Sequence, residues 1–389
     1  MNVTMTFLPG EVAQRILAVL DGQMDAVSSE EWEPLLSRVW NEGVPTLVFD
    51  AIRRKRSIGS IPVTSLATLT GYVAAVKQAN ERIFATLQEV ASVLRGAGIE
   101  IVVLKGAALA ELVYENRDLR PMVDLDLLVK PELAERAIEV LLAAGFVRAG
   151  NPMLRPGFER EFRVEAELLS PGVPAVSVEI HWHLTGPLFV CRRVDYEQLW
   201  QRVTPVTIAS SPVLVLGPED WVLQQVAHAC YKHRRVRLLD LWDLDHLVRF
   251  LGDRVDWDRL VELGGYRGWL TAVAAMAGPA VELLGTPIPE TVLQRARTYR
   301  APWPDRWYAE WWTRPGRAEE LHVIPDWLAL GGVGARWRVL RAYLTPSREY
   351  KAAIDSKGGG EGSPLRQARQ LWHERRSSMT NSRTARREG

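Results

Sequence analysis

A chain of 389 residues is long enough for two or three domains with sizeable cores, and its 47% hydrophobic and 24% charged residues match an ordinary soluble protein. A net charge of +1 gives no global pull toward nucleic acid or a membrane surface. Two cysteines, Cys191 and Cys230, with no CxxC pair, exclude a disulfide framework or a zinc ribbon and point to a reducing cytoplasm.

Residues 1–20 have no basic segment ahead of an uninterrupted apolar core, so no signal peptide is expected. Val12, Ile16, Leu17 and Leu20 follow helical spacing instead. Ser28-Ser29 with Glu31 can cap a helix over 30–39, Gly43-Val44-Pro45 breaks the pattern, and 46–53 resumes it. A long helix is predicted over 66–96, its apolar stripe including Val76, Ile83, Leu87, Val90 and Leu94, with Gly96 and Gly98 ending it. The region 1–98 reads as a helical scaffold.

A sheet domain is predicted next, over 99–205. Ile99 and Ile101 to Leu104 form the short apolar run of a strand covered on both faces. Lys105-Gly106 then opens a short helix, and 122–129 is a second strand. Pro131 starts a helix that Gly145 stops, and 146–148 begins a return strand. Residues 159–169 and 175–184, separated by Ser170-Pro171-Gly172-Val173-Pro174, read as a hairpin. From Pro218 the pattern is helical again, giving a domain over 206–355 with helices at 219–231, 236–251, 257–263, 270–284 and 289–299. The segment 268–285 contains Gly278, Pro279 and Glu282, which favours a buried helix pair over a membrane span. Most of the 15 tryptophans lie beyond residue 180 and are read as a helical core. A flexible linker, SKGGGEGS, and an Arg- and Ser-rich tail close the chain over 356–389. The fold class is therefore α+β, a small mixed sheet flanked by helical regions.

Alternation places Asp124 and Asp126 on one face of their strand and Val123, Leu125 and Leu127 on the other. Carboxylates at i and i+2 can ligate a divalent ion jointly, although an edge strand with its acids in water would show the same spacing. Unpaired side by side, they repel and need a cation or donors to stay ionised. Gly106 lets a backbone approach a phosphate at a helix N-terminus, with Lys105 as a cation and Arg120 as a bidentate partner. The competing reading of Lys105 and Arg120 is salt-bridging to neighbouring acids, Asp124 and Asp126 included. In the hairpin, Glu179, His181 and His183 share a face opposite Val178, Ile180 and Trp182, and Glu179 supplies a third carboxylate for phosphoryl-transfer chemistry. His228 and His233 stand at i, i+5, a spacing that does not put both on one α-helical face.

These segments, LKGAALAELVY, NRDLRPMVDLDLLV and VEIHWHL, resemble the nucleotidyltransferase superfamily with the DNA polymerase β-like fold. More narrowly, they resemble a bacterial nucleotidyltransferase-like family patterned LKG, R…DxDLLV and ExHW. The resemblance is strongest over 99–185 and extends loosely to the N-terminal helices and to QVAHACYKHRRVRLLDLWDL. It implies that Asp124, Asp126 and Glu179 hold catalytic Mg²⁺ or Mn²⁺, with Glu179 ligating metal or deprotonating the acceptor hydroxyl. It implies a nucleotide site at Lys105, Gly106, Arg120, His181 and His228, with His233, Arg237 and Asp243 as secondary candidates. The implied reaction moves NMP from an NTP, expected to be ATP, to a hydroxyl acceptor. The superfamily's Gly-Ser is Lys105-Gly106-Ala107 here, so no hydroxyl stands at that place. The alternatives are a non-catalytic binding descendant and a DxD glycosyltransferase; the latter needs a larger upstream nucleotide-binding sheet, where this chain is helical. Neither membrane nor nucleic acid is expected as a partner.

Overall fold

The structure is a computed structural model and describes residues 10–23, 27–28, 30–55, 61–149, 162–186, 188–233, 235–303, 305–307, 323–330 and 332–348. The linker and tail, the start of the expected hairpin at 159–161, and the stretch 308–322 of the Trp-rich region lie outside the described residues. The chain divides into two compact units, one of Met1–Arg148 and Val164–Ala329, the other of Ala149–Arg163 and Leu330–Gly389. In the second unit the described regular element is one helix, α15 (Gly332–Leu344). All that follows concerns the first.

Its N-terminal helices are α1 (Gly10–Leu20), α2 (Trp32–Asn41), α3 (Pro45–Arg54) and α4 (Val63–Gly96). The 34 residues of α4 run without an internal proline, and Leu69, Val76, Ile83, Leu87, Val90 and Leu94 are buried along it. Gly98 stops it by taking φ 73°, a conformation without steric cost only for glycine, while the Ile99 amide returns to the Leu94 carbonyl at 2.9 Å.

The sheet follows, with β1 (Val102–Val103), α5 (Lys105–Leu112), β2 (Asp124–Leu128), α6 (Ala134–Ala143), β3 (Val147–Arg148), β4 (Glu165–Leu169) and β5 (Ser177–His181). Short helices α7 (Leu188–Cys191) and α8 (Tyr196–Trp200) lead to β6 (Thr204–Ile208) and β7 (Ser211–Val215). The seven strands are ordered β3-β4-β5-β2-β1-β7-β6. The expected hairpin is β4 with β5, antiparallel, and β5 then pairs parallel with β2. The β6–β7 hairpin extends the sheet past residue 205, a pair of strands that the sequence reading did not anticipate. Its alternation is weak because Pro205 and Pro212 interrupt it; Pro205 stands in the edge strand β6, and Pro212 is the second residue of β7, ahead of the Leu214 pairing with β1.

The remaining helices are α9 (Pro218–Ala227), α10 (Leu238–Leu251), α11 (Trp257–Arg267), α12 (Leu270–Leu284), α13 (Glu290–Thr298) and α14 (Val323–Ala329). The segment expected to form a helix pair is the single helix α12, with Pro279 inside it. Among the described residues no helix is long and apolar enough to cross a membrane. Leu125, Leu127, Val178 and Ile180 are fully buried in a core shared with the helices.

Candidate functional site

Register decides what the alternation of β2 and β5 can assemble. In their parallel pairing Asp124 lies opposite Ser177, Asp126 opposite Glu179, and Leu128 opposite His181. On the far side of β5, Glu179 faces Glu167 and His181 faces Glu165. One face of three adjacent strands therefore carries Asp124, Asp126, Glu165, Glu167, Glu179 and His181. Asp126 and Glu179 meet as expected from the sequence, although their strands start 53 positions apart (177 − 124) and only the sheet order brings them together.

His181 is the hub. Its Nε2 lies 2.8 Å from Asp126 Oδ1 and 3.1 Å from Glu179 Oε2. Its Nδ1 is 3.3 Å from Glu165 Oε2 but at an angle that makes no hydrogen bond, which leaves both atoms buried without a hydrogen-bond partner. Burial and Lys105 act against the imidazolium, yet Glu165, Asp126 and Glu179 outweigh them and hold its pKa up at about 9. Glu165 in turn accepts from Lys232 Nζ at 2.6 Å. Burial raises the Glu165 pKa, but His181, Lys232 and Lys105 more than offset this and lower it.

Lys105 is buried at the strand–helix junction with φ 45°, a left-handed conformation uncommon outside glycine. This bend turns its side chain onto the acids, and Nζ lies 2.5 Å from Asp126 Oδ1. Burial disfavours the ammonium, but Asp126, Glu165 and Glu179 raise its pKa, so it remains charged. Asp126 is likewise penalised by burial and held well below the usual carboxylate range by Lys105 and His181. The ion pair named as the competing reading of Lys105 is thus present, with Asp126 as its acid.

Asp124 differs. Among the described residues no hydrogen-bond donor or cation contacts its carboxylate, and burial together with Asp126 pushes its pKa up to about 6. The ligand atoms that lie within 4.8 Å of one another belong to Asp126, Glu179 and His181. That set exchanges Asp124 for His181 relative to the triad expected from the sequence. Two carboxylates and an imidazole suit a divalent cation such as Mn²⁺ or, through the oxygens, Mg²⁺, and the unpartnered Asp124 beside them adds an oxygen donor.

Arg120 is held elsewhere. Its Nη2 donates to Asp243 Oδ2 at 2.9 Å, and Tyr114 donates its hydroxyl to Asp243 Oδ1 at 2.6 Å. Asp243 is fully buried. The competing reading of Arg120, an ion pair with a neighbouring acid, named Asp124 and Asp126 among those acids; the acid that Arg120 meets is Asp243, from α10. A β-carbon on Gly106 would stand 2.9 Å from Arg120 Nη1 and 3.2 Å from Met122 Cγ. Gly106 is thus required here by the close approach of Arg120.

The i, i+5 spacing of His228 and His233 is reconciled by a π-helical turn, His228–Lys232, that continues α9. The His233 amide donates to the His228 carbonyl at 3.2 Å, and this i→i+5 bond brings the two rings together edge to face, their centroids 4.6 Å apart, contrary to the expectation that they diverge. Their Nε2 atoms lie 2.7 Å apart, so one ring donates and the other accepts. Burial, with Lys105 adding to it, lowers the pKa of His228 well below its ordinary value, and burial also lowers that of His233. His228 Nδ1 is 3.3 Å from the Thr185 hydroxyl. Arg237 caps α10 through Asp240.

Glu165, Lys232 and Tyr114 were missed by sequence reasoning. The signal for Glu165 was present: Glu165-Ala166-Glu167-Leu168 repeats the acid alternation of Asp124-Leu125-Asp126-Leu127. Nothing local marks Lys232 or Tyr114, whose partners are distant in the chain.

A family model described as an uncharacterised nucleotidyltransferase matches residues 28–285, a span containing every residue named in this site. None of the curated proteins matches the chain. Among solved structures, an antigenic nucleotidyltransferase-like protein from Paracoccidioides brasiliensis is similar over 55% of this chain and 97% of its own, at 16% identity and a TM-score of 0.34.

Proposed function

This chain belongs to the uncharacterised nucleotidyltransferases, and on that premise we propose that it transfers NMP from an NTP, with ATP the expected donor, to a hydroxyl acceptor with release of pyrophosphate. The observation that carries the reading is the parallel register setting Asp126 opposite Glu179 with His181 between their carboxylates. Asp124, Asp126 and Glu179, with His181 beside them, would hold Mg²⁺ or Mn²⁺, which supplies charge neutralisation on the phosphates and polarisation of the reacting oxygens.

The chain's own groups do the rest. Glu179 accepts the acceptor hydroxyl's proton as that oxygen attacks the α-phosphorus and the bond to pyrophosphate breaks. Lys105 and the free amides at the start of α5 hold phosphate oxygens, the ammonium exchanging its bond to Asp126 for one to phosphate. His228 and Lys232 add donors on the same side. Arg120, bound to Asp243, shapes the cradle by packing on Gly106. Labelled NTPs offered to wild type, Asp124→Asn and Asp126→Asn test this, with folding verified by thermal melts. Transfer in wild type and at least about a hundredfold loss in both variants is expected. Equal transfer by all three would sink it.

A second reading rests on one specific observation. Lys105 already occupies Asp126 Oδ1, as an internal cation would in a nucleotide-binding module without turnover. Calorimetric titration separates the two: neither Mg²⁺ nor NTP heat would remove the enzyme, and NTP heat without metal heat or turnover would favour the module.

A further inference from the structure

A second cavity lies away from the acidic face, walled by α1, α3, the segment after α5, and α10. Its volume is about 590 Å³. It opens to solvent, and a space of this size falls within the range of small-molecule sites. One wall is aromatic. Tyr114, His246 and Trp242 form a ladder, with His246 in the middle at ring separations of 5.2 and 5.1 Å and interplanar angles of 19° and 25°. The opposing wall is aliphatic, with Leu47 and Ala51 from α3. Arg54, Lys55 and Arg249 line the cavity against a single acid, Glu115. Arg54 bonds Asp50 through Nη2, whereas Arg249 bonds Asp245 through Nε and donates Nη2 to the Leu284 and Gly285 carbonyls, so among the described residues Arg54 keeps Nε and Nη1 as donors and Arg249 keeps Nη1.

We propose that this cavity is a binding site for a planar aromatic molecule bearing an acidic group. The ring extends the Tyr114–His246–Trp242 ladder and fills the aliphatic side, and the acid meets Arg54 and Arg249. The site is connected to the phosphate cradle by three contacts. Tyr114, in the cavity wall, bonds Asp243; Asp243 bonds Arg120; Arg120 stands against Gly106. An occupant that shifts Tyr114 therefore shifts the group that packs on Gly106. This connection, unlike the binding site itself, rests on the nucleotide reading given above.

The test uses the full chain and two dyes of similar shape, anionic 8-anilinonaphthalene-1-sulfonate and neutral N-phenyl-1-naphthylamine, followed by fluorescence. One site per chain is expected, with the anionic dye several-fold tighter, and Arg54→Gln abolishing that preference. His246→Ala and Ala51→Trp, one removing the central ring and the other filling the space, are each expected to weaken anionic-dye binding by about tenfold or more. Should one of them fail to fold by near-ultraviolet circular dichroism, the other still decides. Unchanged dye affinity in a folded variant of either kind overturns the site. Equal affinity for the two dyes overturns the acidic-group assignment. For the connection, the affinity for ATP is measured with and without saturating dye, in wild type and in Tyr114→Phe, which keeps the ring and loses the hydroxyl. A dye-dependent shift in wild type that vanishes in Tyr114→Phe is expected, and no shift in wild type overturns the connection. Dye binding in a chain that takes no nucleotide would uphold the cavity site and remove the transferase reading.

Discussion

The ammonium of Lys105 lies 2.5 Å from Oδ1 of Asp126, the same oxygen that His181 Nε2 reaches at 2.8 Å. One carboxylate oxygen thus already receives two positive groups. A divalent cation approaching Asp126 meets an ammonium that has to move.

Replacing Lys105 by methionine removes that competitor. In metal-free buffer Lys105→Met leaves Asp126 buried with only His181, and breaking a buried pair costs about 3–5 kcal/mol of stability. With Mn²⁺ present, the freed oxygen is expected to bind metal roughly tenfold tighter than wild type, about 1.4 kcal/mol. Melting curves with and without Mn²⁺, together with Mn²⁺ titration, measure both. Weaker metal binding in Lys105→Met would show that the ammonium supports the metal site instead of competing for it.

His181 gives a stability change with pH. Its folded pKa of about 9 lies above the unfolded value of about 6.5, so its contribution is fully present below pH 6.5 and is lost as pH rises toward 9. The change is at most about 3 kcal/mol at 1.36 kcal/mol per unit, and less where Asp126 and Glu165 readjust. Urea unfolding of wild type and His181→Asn between pH 6 and 9.5 should show the decline in wild type and a flatter curve in the variant.

Asp326 works through the opposite kind of group. Burial pushes its carboxyl up to about 7, although the Phe189 and Leu188 amides act against this; the Phe189 amide donates to Oδ1 at 2.8 Å. The folded state then binds a proton that the unfolded state releases above pH 4, so stability falls between about pH 4 and 7. Asp326→Asn keeps an acceptor for Phe189 and carries no charge. Its melting temperature should match wild type near pH 4 and exceed it at pH 8, by an amount corresponding to at most about 4 kcal/mol. A variant less stable than wild type at pH 8 would contradict the assignment.

Asp243 joins two side chains that the sequence treats separately. Asp243→Ala leaves Arg120 without its counter-charge and the Tyr114 hydroxyl without an acceptor, a loss of about 3–5 kcal/mol. Tyr114→Phe removes one hydrogen bond to a charged group, about 1.5–3 kcal/mol before any gain from shedding a buried hydroxyl. Denaturant titration of the two variants should rank them in that order, and a reversed ranking would mean that Arg120 finds another acid.

How much of this was legible follows a physical division. Alternation is a property of the extended backbone itself, so the shared faces of Asp124 with Asp126, and of Glu179 with His181, could be read without knowing what lay beside them. The glycine stop at Gly98 and the helix-opening Lys105-Gly106 are local in the same way, fixed by the conformations that neighbouring residues permit. Partner choice is not local. That β5 lies parallel to β2 with Asp126 opposite Glu179, and that Asp243 takes Arg120 across 123 residues, depends on packing between elements far apart in the chain. The π turn that brings His228 against His233 adds one residue to a helical loop, and a pattern read with 3.6 residues per turn misplaces the pair. The same holds for the strand–helix junction on which the sequence already centred. Sequence placed a cation, a glycine and acids at that junction as an expectation, while the tertiary structure decided that Lys105 bonds Asp126 and that Asp124 meets no partner among the described residues, because only the folded chain sets which charge each buried acid meets.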